Sequence, residues 1–189
     1  MTHLYFVRHA QPDSSCPDDR TKPLTHQGME DRKKVTALLS KLPIDAFYSS
    51  PYRRSVDTIS ESAAVFGMDI TTDERFRERQ VGENGYAIEL VERRWADFDF
   101  CEEGGETLRS VQMRNIAALD GVLHSCAGQN IVVGSHGTAL SAIINFCDPS
   151  FTCDDFKRIW HWMPYVVRLD FEDRTYLGRE ELLRAERTY

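Results

Sequence analysis

Three short stretches carry side chains suited to chemistry on an anion: Arg8-His9, Arg53-Arg54 and Ser135-His136-Gly137. Each follows a short apolar or β-rich run: Leu4 to Val7, Ala46 to Ser49, and Ile131 to Gly134. Arginine pairs its planar fork with two oxygens of a phosphate at once. A neutral imidazole can do more than bind, because it is a nucleophile that accepts a phosphoryl group. Taken singly, an arginine or histidine after a strand is usually a surface charge or a hydrogen-bonded structural residue. Three strands delivering such groups to one edge describe a phosphate pocket.

The elements that must hold these groups are readable in outline. Leu4-Tyr5-Phe6-Val7 lacks alternation, the pattern of a strand buried on both faces. Residues 11–23 hold three prolines and three acidic residues and read as a loop. Thr25 offers an N-cap to a helix carrying Val35, Leu38, Leu39 and Leu42, which Pro43 ends. Ser50-Pro51 reads as the start of a second helix, with Tyr52, Val56, Ile59, Ala63 and Phe66 on one face and Gly67 as its stop. Asp69 to Thr71 suggests a short strand, and residues 73–86 are charged and irregular. Ile88, Val91, Trp95 and Phe98 predict a helix, Gly104-Gly105 breaks it, and Thr107 opens a longer one through Leu108, Val111, Leu119, Val122 and Cys126. A further helix runs from about Thr138 to Cys147, and a fourth clear strand from Tyr165 to Phe171. Residues 172–174 read as a turn, and the final residues as a strand or a tail.

Buried strands alternating with helices predict an α/β fold with a mainly parallel sheet covered on both faces. Ligands of such sheets bind at the carboxyl ends of the strands, which is where the three cationic stretches fall. At 189 residues the chain is expected to form one domain over 1–189, with a substrate-covering insertion at about 73–106. The net charge of −7 demotes nucleic acid as a partner. Apolar runs of at most four residues predict no membrane span, and a strand beginning almost at Met1 leaves no room for a targeting sequence, so a cytoplasmic location is expected. The five cysteines include no C-x-x-C pair and are expected to be free thiols. No metal or other cofactor is expected.

The same residues resemble the signatures of the histidine phosphatase superfamily, which includes the phosphoglycerate mutases. Arg8-His9-Ala10 is similar to its Arg-His-Gly tripeptide, and Pro23-Leu24-Thr25 with Gly28 to its P-L-T-x-x-G segment. Ser49 to Thr58 resembles S-S-P-L-x-R-A-x-Q-T, an alignment in which Arg54, not Arg53, is the catalytic arginine. Phe76-Arg77-Glu78 with Gly82, then Gly104 to Thr107, then Ser135-His136-Gly137, follow in family order. Ala10, Tyr52, Asp57 and Asn84 depart from the pattern. The resemblance implies a three-layer α/β/α sandwich of phosphoglycerate mutase type. It implies His9 as nucleophile, Glu78 as general acid and then base, and Arg8, Arg54, His136 and Gly137 as the phosphoryl site. It implies no metal, since the arginines supply the charge.

Other groups carry less. Glu102-Glu103 reads as a solvated charge pair, and Arg75, Arg77 and Arg79 as surface charges or contacts to a second anion on the substrate. His161, between Trp160 and Trp162, reads as part of a packed amphipathic segment. The expected function is hydrolysis of a small phosphorylated metabolite. A mutase-type phosphotransferase is the alternative, disfavoured because the family's mutases are typically longer. A non-catalytic phosphate-binding module is the remaining class, and the presence of all five catalytic positions argues against it.

Overall fold

A computed structural model describes residues 1–187. Its centre is one six-stranded sheet in the order β3-β2-β4-β1-β5-β6. The strands are β1 (Thr2–Arg8), β2 (Ala46–Ser49), β3 (Ile70–Thr72), β4 (Asn130–Ser135), β5 (Trp162–Glu172) and β6 (Thr175–Glu186). β1, β2, β3 and β4 run parallel, whereas β5 pairs antiparallel with both β1 and β6. The first strand therefore lies inside the sheet, between β4 and β5. Its residues Leu4 to Val7 are almost wholly buried, as the unalternated pattern requires.

Helices cover both faces and make a three-layer α/β/α sandwich. α1 (His26–Leu39) and α2 (Arg53–Phe66) pack Val35, Leu39, Ile59 and Ala63 against Tyr5, Val7, Phe47 and Val132. On the other face lie α3 (Ile88–Ala96), α4 (Leu108–Ser125), α5 (Gly137–Cys147) and α6 (Cys153–Ile159). There Leu4, Phe6, Ile131 and Val133 meet Leu119, Val122, Leu140 and Ile143.

Caps set several helix ends. Thr25 accepts from the Gly28 amide and Thr107 from the Ser110 amide. Gly67 ends α2 at φ 64°, a left-handed position that costs glycine nothing. α2 begins two residues later than Ser50-Pro51 suggests. The Ser50 hydroxyl accepts from the Tyr52 amide and contacts His136, but the regular helix starts only at Arg53. α3 stops at Ala96, and Phe98 packs edge-on against Trp95 from beyond its end.

α6 escapes the hydrophobic pattern because it is short. Its start is nonetheless written in Thr152 and Asp155, which form a reciprocal capping box. β5 starts at Trp162, before Pro164, a residue that hides strand character. His161 is an exposed turn residue between α6 and β5, and its neighbours Trp160 and Trp162 pack against the core. β6 decides for a strand over a tail, and residues 188–189 lie outside the described residues. The five cysteines are free. No helix of the described residues is long and apolar enough to cross a membrane.

Candidate active site

The carboxyl ends of β1, β2 and β4 converge. The His9 amide donates to Ser135 O at 3.1 Å, and the Ser50 amide to Gly134 O at 2.9 Å. The Ala10 amide donates to the Thr58 hydroxyl on α2, which in turn donates to Arg54 O. These bonds fix His9 and Arg54 against each other through backbone. Arg8, His9, Arg54, Glu78 and Gly137 all line one cavity of about 500 Å³.

The His9 ring is fixed by its Nδ1, which lies 2.8 Å from Ala10 O. A carbonyl only accepts, so Nδ1 carries the hydrogen and Nε2 keeps its lone pair. Burial, then the Arg54 and Arg8 charges, push the imidazole well below its ordinary pKa of 6.5. It is therefore neutral at pH 7. Because kcat/KM reports the free enzyme, its acid limb, corrected for ionisation of the substrate, is expected to lie below pH 6.5. A limb at or above pH 6.5 in a pH–rate profile would count against this ring being neutral at rest.

Arg8 is caged by carbonyls. Its Nη1 donates to Ile159 O at 2.6 Å, Trp160 O at 3.1 Å and Trp162 O at 3.3 Å. Its Nε is buried with no hydrogen-bond partner. Burial lowers its pKa to about 10 against the attraction of Glu78, which leaves it charged at neutral pH. Gly137 packs against it: a Cβ there would stand 3.1 Å from the guanidinium. Arg54 is buried, donates to Asp19 O and sits over the Tyr52 ring at 5.0 Å. Arg53 is exposed and pairs with Asp57 on its own helix.

His136 is fully enclosed and stands edge-on to His9, ring centres 5.3 Å apart. Its Nε2 lies 2.8 Å from Ser50 Oγ, and its Nδ1 has no hydrogen-bond partner. Burial, then Arg54 and His9, hold this ring neutral as well.

Glu78 seats its carboxyl on the N-terminus of α5. Oε2 accepts from the Thr138 amide at 3.0 Å, and Oε1 accepts from Ala139 at 3.0 Å and from Arg79 at 2.8 Å. The Thr138 and Ala139 amides are helix donors that have no partner within the helix. Arg114 on α4 fixes the backbone behind it, donating to the carbonyls of Arg75, Arg77 and Glu78. Nothing in the local sequence around Glu78 pointed to Arg114, which lies 36 residues away.

The segment between β3 and α4 corrects two sequence expectations. Glu102 is no solvated charge: it is 7% exposed and bridges Arg79 at 2.8 Å and Arg94 at 2.6 Å, while Glu103 is exposed. Arg79 is neither a surface charge nor a free anion contact. It is buried and spends its terminal nitrogens on Glu102 and Glu106 O. Arg77 pairs with Glu106, and Arg75 with Asp73. Gly82, Gly85 and Gly105 each approach Glu102 so closely that a Cβ would lie under 3 Å from its side chain. The loop is wrapped around one carboxylate, and Asn84, where the family often has tryptophan, takes a left-handed φ of 53° at its tip.

Burial works against the Glu102 charge. The Arg79 hydrogen bond, the Gly82 amide and the Arg79 charge outweigh it and hold the carboxyl at about 2. Its stabilisation is thus fully present above the ordinary value of 4.5 and is lost as pH falls through about 2. Glu102→Gln leaves two buried guanidiniums on a neutral amide and is expected to cost about 3–5 kcal/mol in urea denaturation at pH 7. The gap from the native protein should close progressively as the pH is lowered from 4.5 towards 2.

Known proteins share this architecture. Residues 4–177 match the histidine phosphatase superfamily (branch 1). A probable phosphoglycerate mutase, GpmB, of Salmonella choleraesuis is 28% identical over 162 residues, covering 77% of this chain and 74% of that protein. Bacillus stearothermophilus YhfR superposes with a TM-score of 0.75 at 20% identity, over 94% of this chain and 95% of that one. A mycobacterial glucosyl-3-phosphoglycerate phosphatase in complex with VO3 gives 0.76 at 17% identity, over 97% and 99% of the two chains. A phosphoserine phosphatase variant from Entamoeba histolytica, bound to phosphoserine, gives 0.76 at 17%, over 94% of each. With a family match running from the first strand into the last, this chain belongs to branch 1 of the histidine phosphatase superfamily.

Proposed function

We propose that the protein is a metal-independent phosphomonoesterase that hydrolyses a small phosphorylated metabolite through a phosphohistidine at His9. The observation that carries this is the state of the His9 ring. It is neutral, its Nδ1 is tied to Ala10 O, and its Nε2 lone pair is left for the cavity between Arg8 and Arg54. In the first step Nε2 forms a bond to phosphorus as the ester P–O bond breaks, and Glu78 delivers its proton to the departing oxygen. In the second, water attacks phosphorus, the N–P bond breaks, and Glu78 takes the proton from water. Arg8 and Arg54 offset the charge on the phosphoryl oxygens. Arg8 borders the cavity for that contact, and His136, enclosed beside the His9 ring with centres 5.3 Å apart, is assigned the same task. The Gly137 end of α5 completes the phosphoryl site. The 73–106 segment covers the substrate, since Glu78, Arg79, Val81 and Tyr86 contribute to the cavity wall.

The role of Glu78 is tested by the leaving group. An alkoxide needs a proton as the bond breaks, whereas nitrophenolate leaves unaided. Glu78→Gln is expected to slow alkyl phosphate cleavage far more than the single-turnover burst of nitrophenol from p-nitrophenyl phosphate. Equal losses for the two substrates would remove Glu78 as the acid. Activity is expected to survive EDTA.

The Salmonella relative's name favours a second reading, phosphoryl transfer of the phosphoglycerate mutase type. That reading requires isomerisation dependent on 2,3-bisphosphoglycerate in place of phosphate release. Assaying both products from 3-phosphoglycerate decides between them.

A further inference from the structure

The cavity is far larger than a phosphoryl group needs, and its second half has a different character. Beyond Arg8, His9 and Arg54, the wall is built from Val81, Trp95, Leu108, Phe156, Trp160 and Met163. Three of these form a continuous aromatic row. Trp95 and Phe156 have ring centres 5.6 Å apart, and Phe156 and Trp160 5.4 Å apart. All three residues line the same cavity as Arg8, His9 and Arg54, and the main-chain carbonyl of Trp160 also accepts from Arg8 Nη1. An ester held in that cavity thus has apolar wall within reach of its alcohol half.

Three of the cations on that wall are engaged by protein groups. Arg79 and Arg94 share Glu102, and Arg94 also donates to Gly85 O at 2.6 Å. Lys22, at the loop side, pairs with Asp19 at 3.1 Å. Ser14, Tyr86 and Arg187 also line the cavity, but beside the aromatic row a sugar or a second acid group would meet apolar surface. Such a surface rejects an alcohol rich in hydroxyls and favours one whose surface leaves water.

Resting on the phosphomonoesterase reading above, we infer that the substrate's alcohol half is apolar, a medium-length alkyl or an aryl group, and that Val81 and the Trp95–Phe156–Trp160 row select it. The substrate class is a hydrophobic phosphate monoester, not a phosphosugar or a phosphorylated carboxylic acid.

The test uses the intact chain and n-alkylphosphonates from methyl to hexyl, which bind without turning over. Calorimetric affinity is expected to tighten about fourfold per methylene until the cavity fills. A flat or weakening series overturns the inference, as does tighter binding of the phosphonate analogue of 3-phosphoglycerate or phosphoserine than of hexylphosphonate. Val81→Ser should weaken hexylphosphonate by roughly tenfold and methylphosphonate by less than twofold, because only the longer chain reaches that wall. Equal losses for the two ligands would also overturn it. Turnover of p-nitrophenyl phosphate is measured alongside. No turnover with a rising affinity series would sink the enzymatic reading and leave the apolar selection standing. Turnover with a flat series would do the reverse.

Discussion

Replacing His9 with alanine is expected to abolish turnover and to leave the fold in place. The residue stands at the end of β1, where its amide is held by Ser135 O whatever side chain it carries. Its ring borders the cavity and does not fill the core between sheet and helices. The structural loss is one hydrogen bond, to Ala10 O, worth about 1 kcal/mol. The chemical loss is total, because among the described residues no other histidine lines the cavity beside Arg8 and Arg54. His136 is the nearest imidazole, but it is fully enclosed and its Nε2 is engaged with Ser50. Native protein mixed with a labelled ester and quenched in alkali, where phosphohistidine survives, should carry label on His9. Near-native turnover by the alanine variant would end the assignment.

Loss of either buried arginine is expected to cost on the order of 10²- to 10³-fold in rate, the size of losing one donor to transition-state charge. The comparison that gives this meaning is Arg53 against Arg54. The two are adjacent in sequence, and the rotation of about 100° between successive helical residues separates their fates. Arg54 is 4% exposed and borders the cavity, whereas Arg53 lies on the solvent side and pairs with Asp57. Arg53→Ala should therefore retain most of the native rate. A crippled Arg53→Ala beside an active Arg54→Ala would mean that the motif had been aligned one residue out of register. Arg8→Ala carries a second cost, since three carbonyls lose their donor. Its thermal unfolding should be compared with that of Arg54→Ala before the rates are.

The parts of this molecule legible in sequence are those where one residue type answers one local need. Unalternated strands, Thr25 and Thr107 as caps, Gly67 as a stop, and cationic residues at strand ends all depend on near neighbours. The parts that were not legible depend on partners distant in the chain. Glu102 looks like half of a solvated acidic pair until folding brings Arg79 and Arg94 to it. Arg79 looks like surface charge for the same reason, and Arg114 has no local signal at all. Ser50 misleads in the opposite sense. Its type suits a helix cap, and its hydroxyl accepts from the Tyr52 amide and contacts His136, 86 residues on, yet the regular helix starts only at Arg53. The α6 capping box was readable and was obscured only by the brevity of the helix it opens.

The place of β1 in the sheet also bears on synthesis. A ribosome delivers the chain from the amino end, so Arg8 and His9 are made before β4 and β5. Their strand needs β4 on one side and β5 on the other, and Arg8 needs carbonyls from residues 159, 160 and 162. Until residues 159–162 have been made, Arg8 lacks its carbonyl partners, and β1 lacks its neighbour β5. The emerging polypeptide thus carries an apolar strand before its partner strands exist, a segment open to aggregation until they are made. The pairing of β1 with β5 and the carbonyl cage of Arg8 both wait on residues 159–172.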